Sequence, residues 1–260
     1  KRIGQAKRCS AVSVDICLLN FLGARPGSGH DKAAIVIKGR AMPVFQHDID
    51  IPRLSDEALA KWRDIPAAVA SDCLGRSQAI QGAIKPVDRS MRIVAQARTV
   101  EVMVADNSAL HAAVGVCRPG EVLVCDAHAY EDQAIWGGLM TRSAHDKGLA
   151  GLVIDGAVRD TDEIIEMGFN VFSRAIVPCG PHKGFGGVID APISCGGVVV
   201  APGDLIIGDA DGVTVVPFAK LEATFEAAEA ILAKEARALE SLANGGSLAE
   251  VYGVPDITMI

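Results

Sequence analysis

Residues 151–160, with the sequence GLVIDGAVRD, constrain the fold of this chain more than any other segment. The apolar run 152–154 predicts a buried strand, an Asp-Gly pair follows it as a turn, and residues 161–167 have helical spacing. Arg159 and Asp160 therefore lie side by side where a strand ends and a helix begins. Ligands of α/β proteins bind at such strand ends. A carboxylate that holds a divalent metal, beside a guanidinium that faces an anionic substrate, would form half of an active site.

The composition favours an α/β core and is compatible with a soluble cytoplasmic enzyme. Half of the 260 residues are hydrophobic, 4% are aromatic and 27 are glycine, which favours close packing of helices on a sheet. The formal charge of −7 argues against nucleic acid as a partner, because nucleic-acid surfaces carry a basic patch. No apolar run approaches the ~20 residues of a membrane span. The seven cysteines form no CxxC pair and are expected to be buried thiols in a reducing compartment.

Periodicity and turn residues divide the chain into helices and strands from about Ile51 onward. Helices are predicted over residues 55–63, 65–74, 107–116, 131–147, 161–167 and 220–242. Strands are predicted over residues 92–104, 121–125, 152–154, 171–177, 198–200, 205–207 and 213–216, with the last three joined as hairpins. This order is mixed α/β in the middle and rich in strands later, so a plain doubly wound sheet is not expected.

The first 45 residues differ from the rest and are predicted to be an N-terminal extension, whereas residues 46–260 form one domain that ends in the long helix. A basic start over residues 1–8 and an apolar stretch over residues 11–22 resemble a signal peptide. However, Asp15 interrupts the apolar stretch and no small-x-small cleavage site follows it. The preferred interpretation is a poorly packed N-terminal extension or a gene-start artefact.

Asp160 has two interpretations from its sequence context. It precedes Glu163 by three residues, which is the spacing of a capping box, so the carboxylate is either a helix cap or a metal ligand. Arg159 taken alone would be a surface charge. Their adjacency at a strand end favours the functional interpretation of both residues.

The glycine pair in WGGLM, Gly137 and Gly138, also has two interpretations. Each glycine costs a helix roughly 1 kcal/mol relative to alanine. Either the pair lets the helix over residues 131–147 pack closely on a strand, or the helix begins here. In the second case the N–H groups of Leu139 and Met140 are free, and a bare helix N-terminus binds carboxylates.

The remaining motifs favour structural roles. The glycine-rich loop 182–187 lacks the spacing of a dinucleotide fingerprint and no helix follows it, so a flexible loop near the site is preferred. The six histidines show no HxH or HxxxH spacing, which argues against a zinc site built from histidine. Cys125 and His128 are close enough for a nucleophile pair, but a buried strand cysteine is the preferred interpretation. Neither a GxSxG elbow nor a Walker A loop is present.

An ordered series of motifs, from about Ile65 to Pro217, closely resembles the RraA-like family. The motifs are residues 106–111, 119–124, 137–140, 151–160, 168–172, 195–200, 202–205 and 209–213. This family includes the 4-hydroxy-4-methyl-2-oxoglutarate / 4-carboxy-4-hydroxy-2-oxoadipate aldolases and the regulator of ribonuclease E. The series is therefore specific for the family and much less specific for the reaction.

The resemblance implies a swivelling β/β/α domain of the α/β class, with mixed sheets, that assembles as a homotrimer or homohexamer with its site at a subunit boundary. It implies that Arg159 binds substrate and that Asp160 binds Mg²⁺ or Mn²⁺. It also implies that residues 137–140 offer backbone N–H groups to the carboxylate of pyruvate. An acidic residue on the C-terminal helix of the neighbouring subunit reaches the metal through water, and Glu235 is the candidate.

Two residues distinguish this chain from particular members of the family. Gly138 stands where the aldolases carry an acidic residue that helps to hold metal-bound water, which leaves open a changed metal affinity or a changed reaction. Asp160 is kept, whereas the ribonuclease regulator lacks this carboxylate. Retention of Asp160 favours a metal-dependent enzyme.

The expected function is a metal-dependent carbon–carbon lyase that cleaves 4-hydroxy-2-oxo acids, such as 4-hydroxy-4-methyl-2-oxoglutarate, to pyruvate, with oxaloacetate decarboxylation as a side activity. Cleavage leaves a pyruvate enolate, whose charge a divalent cation and Arg159 would stabilise. One alternative is a non-catalytic regulator that binds a protein partner such as ribonuclease E. Another is a metal-dependent lyase or isomerase that acts on a different oxo acid.

Overall fold

The computed structural model describes residues 42–259, and the predicted extension over residues 1–45 lies almost entirely outside this part of the chain. The strands are β1 (Val44–Gln46), β2 (Lys85–Pro86), β3 (Ile93–Val102), β4 (Val122–Trp136), β5 (Gly151–Val158), β6 (Asn170–Ile176), β7 (Gly187–Ile189), β8 (Ile193–Cys195), β9 (Val198–Val200), β10 (Leu205–Asp209) and β11 (Gly212–Val216). The α-helices are α1 (Asp56–Lys61), α2 (Ala67–Cys73), α3 (Ser108–Val116), α4 (Gly138–Asp146), α5 (Thr161–Glu166), α6 (Leu221–Ala243) and α7 (Leu248–Tyr252). Short 3₁₀ helices cover Trp62–Asp64 and Phe218–Lys220.

One mixed sheet organises the described residues, with the strand order β1-β7-β3-β4-β5-β6-β2 and the β10–β11 hairpin attached to β3. Strands β3, β4, β5 and β6 run parallel, whereas β7 and β10 pair antiparallel with β3. All eight residues of β5 are buried, as expected for a central parallel strand that is covered on both faces. The sheet confirms the predicted α/β class with mixed strand directions.

Two hydrophobic clusters hold the fold together. The larger one lies along the central strands, where the rings of Trp136 and Phe169 stack with centroids 6.3 Å apart. The smaller one fixes α2 and α6 against the β10–β11 hairpin. In this second cluster Trp62 meets Phe225 edge to face at 5.2 Å, a favourable geometry for aromatic pairs.

Most predicted elements are confirmed with small shifts of their ends. Ser55 caps α1, because its Oγ accepts a hydrogen bond from the Ala58 N–H at 3.1 Å. The β10–β11 hairpin is also confirmed, but β9 pairs with β8 instead of joining that hairpin. The long helix is α6, and within residues 42–259 no helix is both long and apolar enough to cross a membrane.

The predicted helix over residues 131–147 is wrong in its first third. Strand β4 continues to Trp136, and the helix begins only at Gly138. Ala134 and Trp136 pair with Ala157 and Val158 of β5, through a register that shifts several times. These irregularities displace the polar and apolar side chains from strict alternation, which made the end of the strand resemble the start of a helix.

Candidate active site

Asp160 occupies the junction between β5 and α5, but its side chain does not cap the helix. Its backbone is left-handed, with φ 59° and ψ 42°, a conformation that aspartate tolerates better than most residues. Its Oδ2 instead accepts a hydrogen bond from the Gly138 N–H at 3.0 Å, across the gap between two helices. The capping-box interpretation is therefore wrong for this carboxylate. Strained backbone of this kind is common at functional sites.

The glycine pair explains how this carboxylate reaches the start of α4. Gly137 lies in extended backbone, immediately before the helix. A Cβ at this position would lie 2.5 Å from Asp160 Oδ2 and 3.1 Å from Arg159 Cγ, so no larger residue fits without moving both side chains. The structure thus favours the second interpretation of the pair, in which the helix begins here.

The first turn of α4 offers two backbone donors to the cleft. Gly138 N–H is bound to Asp160, and Thr141 N–H donates to Gly137 O at 3.0 Å. Within residues 42–259 no acceptor pairs with the N–H groups of Leu139 and Met140, which belong to the helix N-terminus, where amides have no partner inside the helix. Two adjacent free N–H groups at a positive helix end suit a carboxylate.

Arg159 lies next to Asp160, and its side chain passes close to Gly137 and Gly180. Its Nε is 3.4 Å from Asp160 Oδ2, and 42% of its side chain is exposed. Its Nη1 would be 2.6 Å from a Cβ at position 180, so Gly180 provides space for the guanidinium. The arginine therefore lies between two glycine-lined segments, with its charge directed into an open cleft.

A cleft of about 360 Å³ brings the predicted residues together. Gly137, Leu139, Met140, Arg159 and Asp160 all line it, whereas Gly138 donates a hydrogen bond to Asp160 and lines a neighbouring groove with Glu163. The structure therefore places five of the six predicted residues around one cavity.

Three polar residues of the cleft were missed by sequence reasoning. Asn107, His111 and Lys183 line the same cavity, and Lys183 Nζ donates to Asn107 Oδ1 at 2.9 Å and lies 3.1 Å from His111 Nε2. Partial desolvation, and then the Lys183 ammonium, lower the pKa of His111 below its ordinary value. Residues 106–111 and 182–187 were both recognised as motifs in the sequence, but the second was interpreted as a flexible loop near the site.

Two other sequence interpretations have different outcomes. Cys125 is fully buried, and burial raises the pKa of its thiol well above the ordinary value, so a Cys125–His128 nucleophile pair is not supported. Glu235 lies on an exposed face of α6 and does not line the cleft of its own chain. Its role across a subunit boundary stays a prediction.

The residues present fit one hard divalent cation held mainly through water. Among the described residues, no cluster of three His, Cys, Asp or Glu side chains is arranged to enclose a metal. Asp160, however, presents a carboxylate that is 38% exposed, and its Oδ1 has no hydrogen-bond donor within residues 42–259. Mg²⁺ usually keeps several waters and binds one or two carboxylates, so a single carboxylate in an open cleft is compatible with it.

Comparison with known proteins places this geometry in a family. The family model "RraA-like: Aldolase/RraA" matches residues 51–215. A Halalkalibacterium halodurans protein named "Putative 4-hydroxy-4-methyl-2-oxoglutarate aldolase" is 41% identical over 159 residues, which are 61% of this chain and 76% of that protein. An uncharacterized Methanocaldococcus jannaschii protein is 31% identical over 222 residues, which are 84% of this chain and 97% of that protein.

A solved structure shows the same fold. RraAS2 of Streptomyces coelicolor, described as an unusual member of the RNase ES inhibitor RraA protein family, superposes with a TM-score of 0.67 at 26% identity. The match covers 72% of this chain and 99% of that one. With the family model matching more than half of the chain, this protein belongs to the RraA-like family.

Proposed function

We propose that this protein is a divalent-metal-dependent lyase that cleaves 4-hydroxy-2-oxo acids, such as 4-hydroxy-4-methyl-2-oxoglutarate, to pyruvate, and that it decarboxylates oxaloacetate as a side activity. The observation that carries the proposal is the cleft where the Asp160 carboxylate, the Arg159 guanidinium and the free N–H groups of Leu139 and Met140 converge. The aldolase name of the Halalkalibacterium relative supports it.

Asp160 would hold Mg²⁺ or Mn²⁺, and the bound cation would act as a Lewis acid on the 2-oxo acid. The N–H groups of Leu139 and Met140 would fix the substrate carboxylate at the positive end of α4. A base takes the 4-hydroxyl proton, the C4–O bond becomes a carbonyl, and the bond between C3 and C4 breaks. Its electrons form the pyruvate enolate, which takes up a proton at C3 to give pyruvate, and C4 leaves as the second carbonyl product. Arg159 would stabilise the negative charge that develops on the reacting oxygen.

Lys183 gives the cleft a second cation, which suits a substrate with two carboxylates. Its Nζ is oriented by Asn107 Oδ1 and His111 Nε2, so the charge has a defined place among the cleft residues. A dicarboxylic oxo acid would place one carboxylate at the start of α4 and the other near this ammonium. Both 4-hydroxy-4-methyl-2-oxoglutarate and oxaloacetate have this form.

We also infer that the active form is a homotrimer or homohexamer, and that Glu235 of a neighbouring chain approaches the cation site through water. The open cleft supports this inference, because Leu139, with 90% of its surface exposed, stands at its edge without a cover from the described residues. Light scattering of the purified protein measures the assembly directly.

Metal removal tests the proposed chemistry. Protein treated with a chelator should lose pyruvate release from a panel of 4-hydroxy-2-oxo acids and from oxaloacetate, and should regain it with Mg²⁺ or Mn²⁺. The rate without metal should fall by at least about 100-fold, because Lewis-acid stabilisation is worth several kcal/mol. Pyruvate is followed with lactate dehydrogenase and NADH, and metal without protein corrects for spontaneous decarboxylation. Full activity after rigorous removal of metal would exclude the cation.

The likeness to RraAS2 favours one alternative, a regulator that binds a protein partner. The same assay separates the two functions, since a regulator would release no pyruvate from any substrate of the panel. Turnover of only a different oxo acid would instead favour the alternative lyase or isomerase.

The pH dependence of the cleft follows from His111. Because the pKa of His111 is lowered, the ring is neutral at pH 7 and its Nε2 accepts a hydrogen bond from Lys183. We expect kcat/KM to hold down to the ordinary histidine pKa of about 6.5 and to fall below it, as protonated His111 repels Lys183. His111→Asn keeps a hydrogen-bond acceptor but does not titrate. The decrease of kcat/KM at acid pH should therefore be smaller in this variant. An identical acid limb in this variant would contradict the assignment.

A further inference from the structure

Glu163 occupies the space that a side chain at position 138 would need. A Cβ built on Gly138 would overlap Glu163 Oε2 and would lie 3.0 Å from its Cδ. The same Cβ would lie 3.6 Å from Asp160 Cβ, so the carboxylates of Asp160 and Glu163 both approach the start of α4. Asp160 immediately precedes α5 and Glu163 lies in the first turn of this helix, so both side chains reach the start of α4 from the same end of α5.

The Glu163 carboxylate has no partner that explains this position. Within residues 42–259 it forms neither an ion pair nor a side-chain hydrogen bond, although Arg142 lines the groove beside the cleft that also contains Gly138 and Glu163. The positive end of α4 favours a carboxylate beside Gly138, and an exposed glutamate at this place stays in contact with solvent. Its four acceptor sites are available to water, and ligand-bound water needs acceptors of this kind.

We propose that Glu163 is a positioning residue that orients the water shell of a divalent cation bound by Asp160, and that Gly138 is glycine because this carboxylate fills its side-chain space. The inference rests on the proposed cation role of Asp160. Mg²⁺ and Mn²⁺ retain several waters when one carboxylate binds them, and carboxylates beyond the direct ligands fix those waters. An acidic side chain at position 138 would require the Glu163 carboxylate to move, since both would occupy the same volume.

Direct Mn²⁺ binding tests the inference without reference to turnover. Titration followed by the electron paramagnetic resonance signal of free Mn²⁺ gives Kd for each purified variant. Glu163→Gln should raise Kd about 10-fold, the lower end of the loss that partners beyond the direct ligands cause. Glu166→Gln is the matched control, because Glu166 is exposed, lies on the same helix and lines the same groove. Its Kd should equal that of the wild type.

A rescue by exchange separates a role in water binding from a merely structural one. Glu163→Ala empties the space beside Gly138 and should weaken Mn²⁺ binding as Glu163→Gln does. Adding Gly138→Asp to Glu163→Ala returns a carboxylate to that space from the other helix and should recover most of the affinity. Circular dichroism melts establish that each variant is folded.

The outcomes distinguish this inference from the function on which it rests. If Asp160→Asn loses Mn²⁺ while Glu163→Gln binds like the wild type, the inference is overturned and the cation site stands. If the double variant stays as weak as Glu163→Ala, the exchange of carboxylates is also refuted. If wild-type protein binds no Mn²⁺, or if Asp160→Asn binds as tightly as wild type, the proposed cation role itself falls.

Discussion

Asp160→Asn is expected to abolish metal-dependent pyruvate release while the protein stays folded. The amide keeps an oxygen that can accept the Gly138 N–H, and asparagine tolerates the left-handed backbone at this position. What disappears is the negative charge that would hold the cation. We expect turnover to fall at least about 100-fold, since loss of a Lewis acid removes several kcal/mol of stabilisation. The free energy of unfolding should change by less than about 1 kcal/mol.

Asp162→Asn is the matched control for this substitution. Asp162 is exposed, carries the same charge and lies two residues further along α5. Its turnover and its dependence on Mg²⁺ should equal those of the wild type, when both are measured with oxaloacetate at several metal concentrations. A folded Asp160→Asn protein with unchanged turnover would refute the assignment of this carboxylate.

Much of the fold was predictable because its signals are local. The apolar run of β5 and the helical spacing after Asp160 define a strand and a helix without knowledge of the rest of the chain. The short strands β1, β2, β7 and β8 were missed, since two or three residues carry no periodic pattern. Their pairing depends on partners distant in sequence, such as β3 for β7 and β6 for β2.

The site was predictable in part for the same reason. Arg159 and Asp160 are adjacent in sequence, whereas the glycine pair left two interpretations open, and only the structure shows that the helix begins there. The hydrogen bond from Gly138 N–H to Asp160 joins residues 22 apart, and no spacing rule predicts it. The cluster of Asn107, His111 and Lys183 joins α3 to a loop more than 70 residues later, so only the folded chain shows that these polar groups meet.

Arg159→Lys is expected to lower kcat/KM by at least about 100-fold, although the charge is kept. The planar guanidinium presents several fixed N–H donors, whereas an ammonium on a flexible stem is a point charge. The guanidinium has a defined place in the cleft, because Arg159 Nη1 lies against Gly180 and the aliphatic part of the side chain lies against Gly137. Loss of one preorganised donor at a developing oxyanion costs about 3 kcal/mol, which corresponds to about 100-fold.

Gly180→Ala tests the importance of the position of Arg159 without replacing the arginine itself. The new Cβ would lie 2.6 Å from Arg159 Nη1, the mobile end of a side chain, so the guanidinium moves while the fold remains. A displacement of about 1 Å costs a positioned catalytic group up to about 100-fold, and we expect a loss of 10- to 100-fold in kcat/KM. Gly82→Ala is the control, because a Cβ there meets no atom within 4 Å and φ is not in the left-handed region. Equal kinetics for the two alanine variants, with equal thermal stability, would show that the position of Arg159 does not limit the reaction.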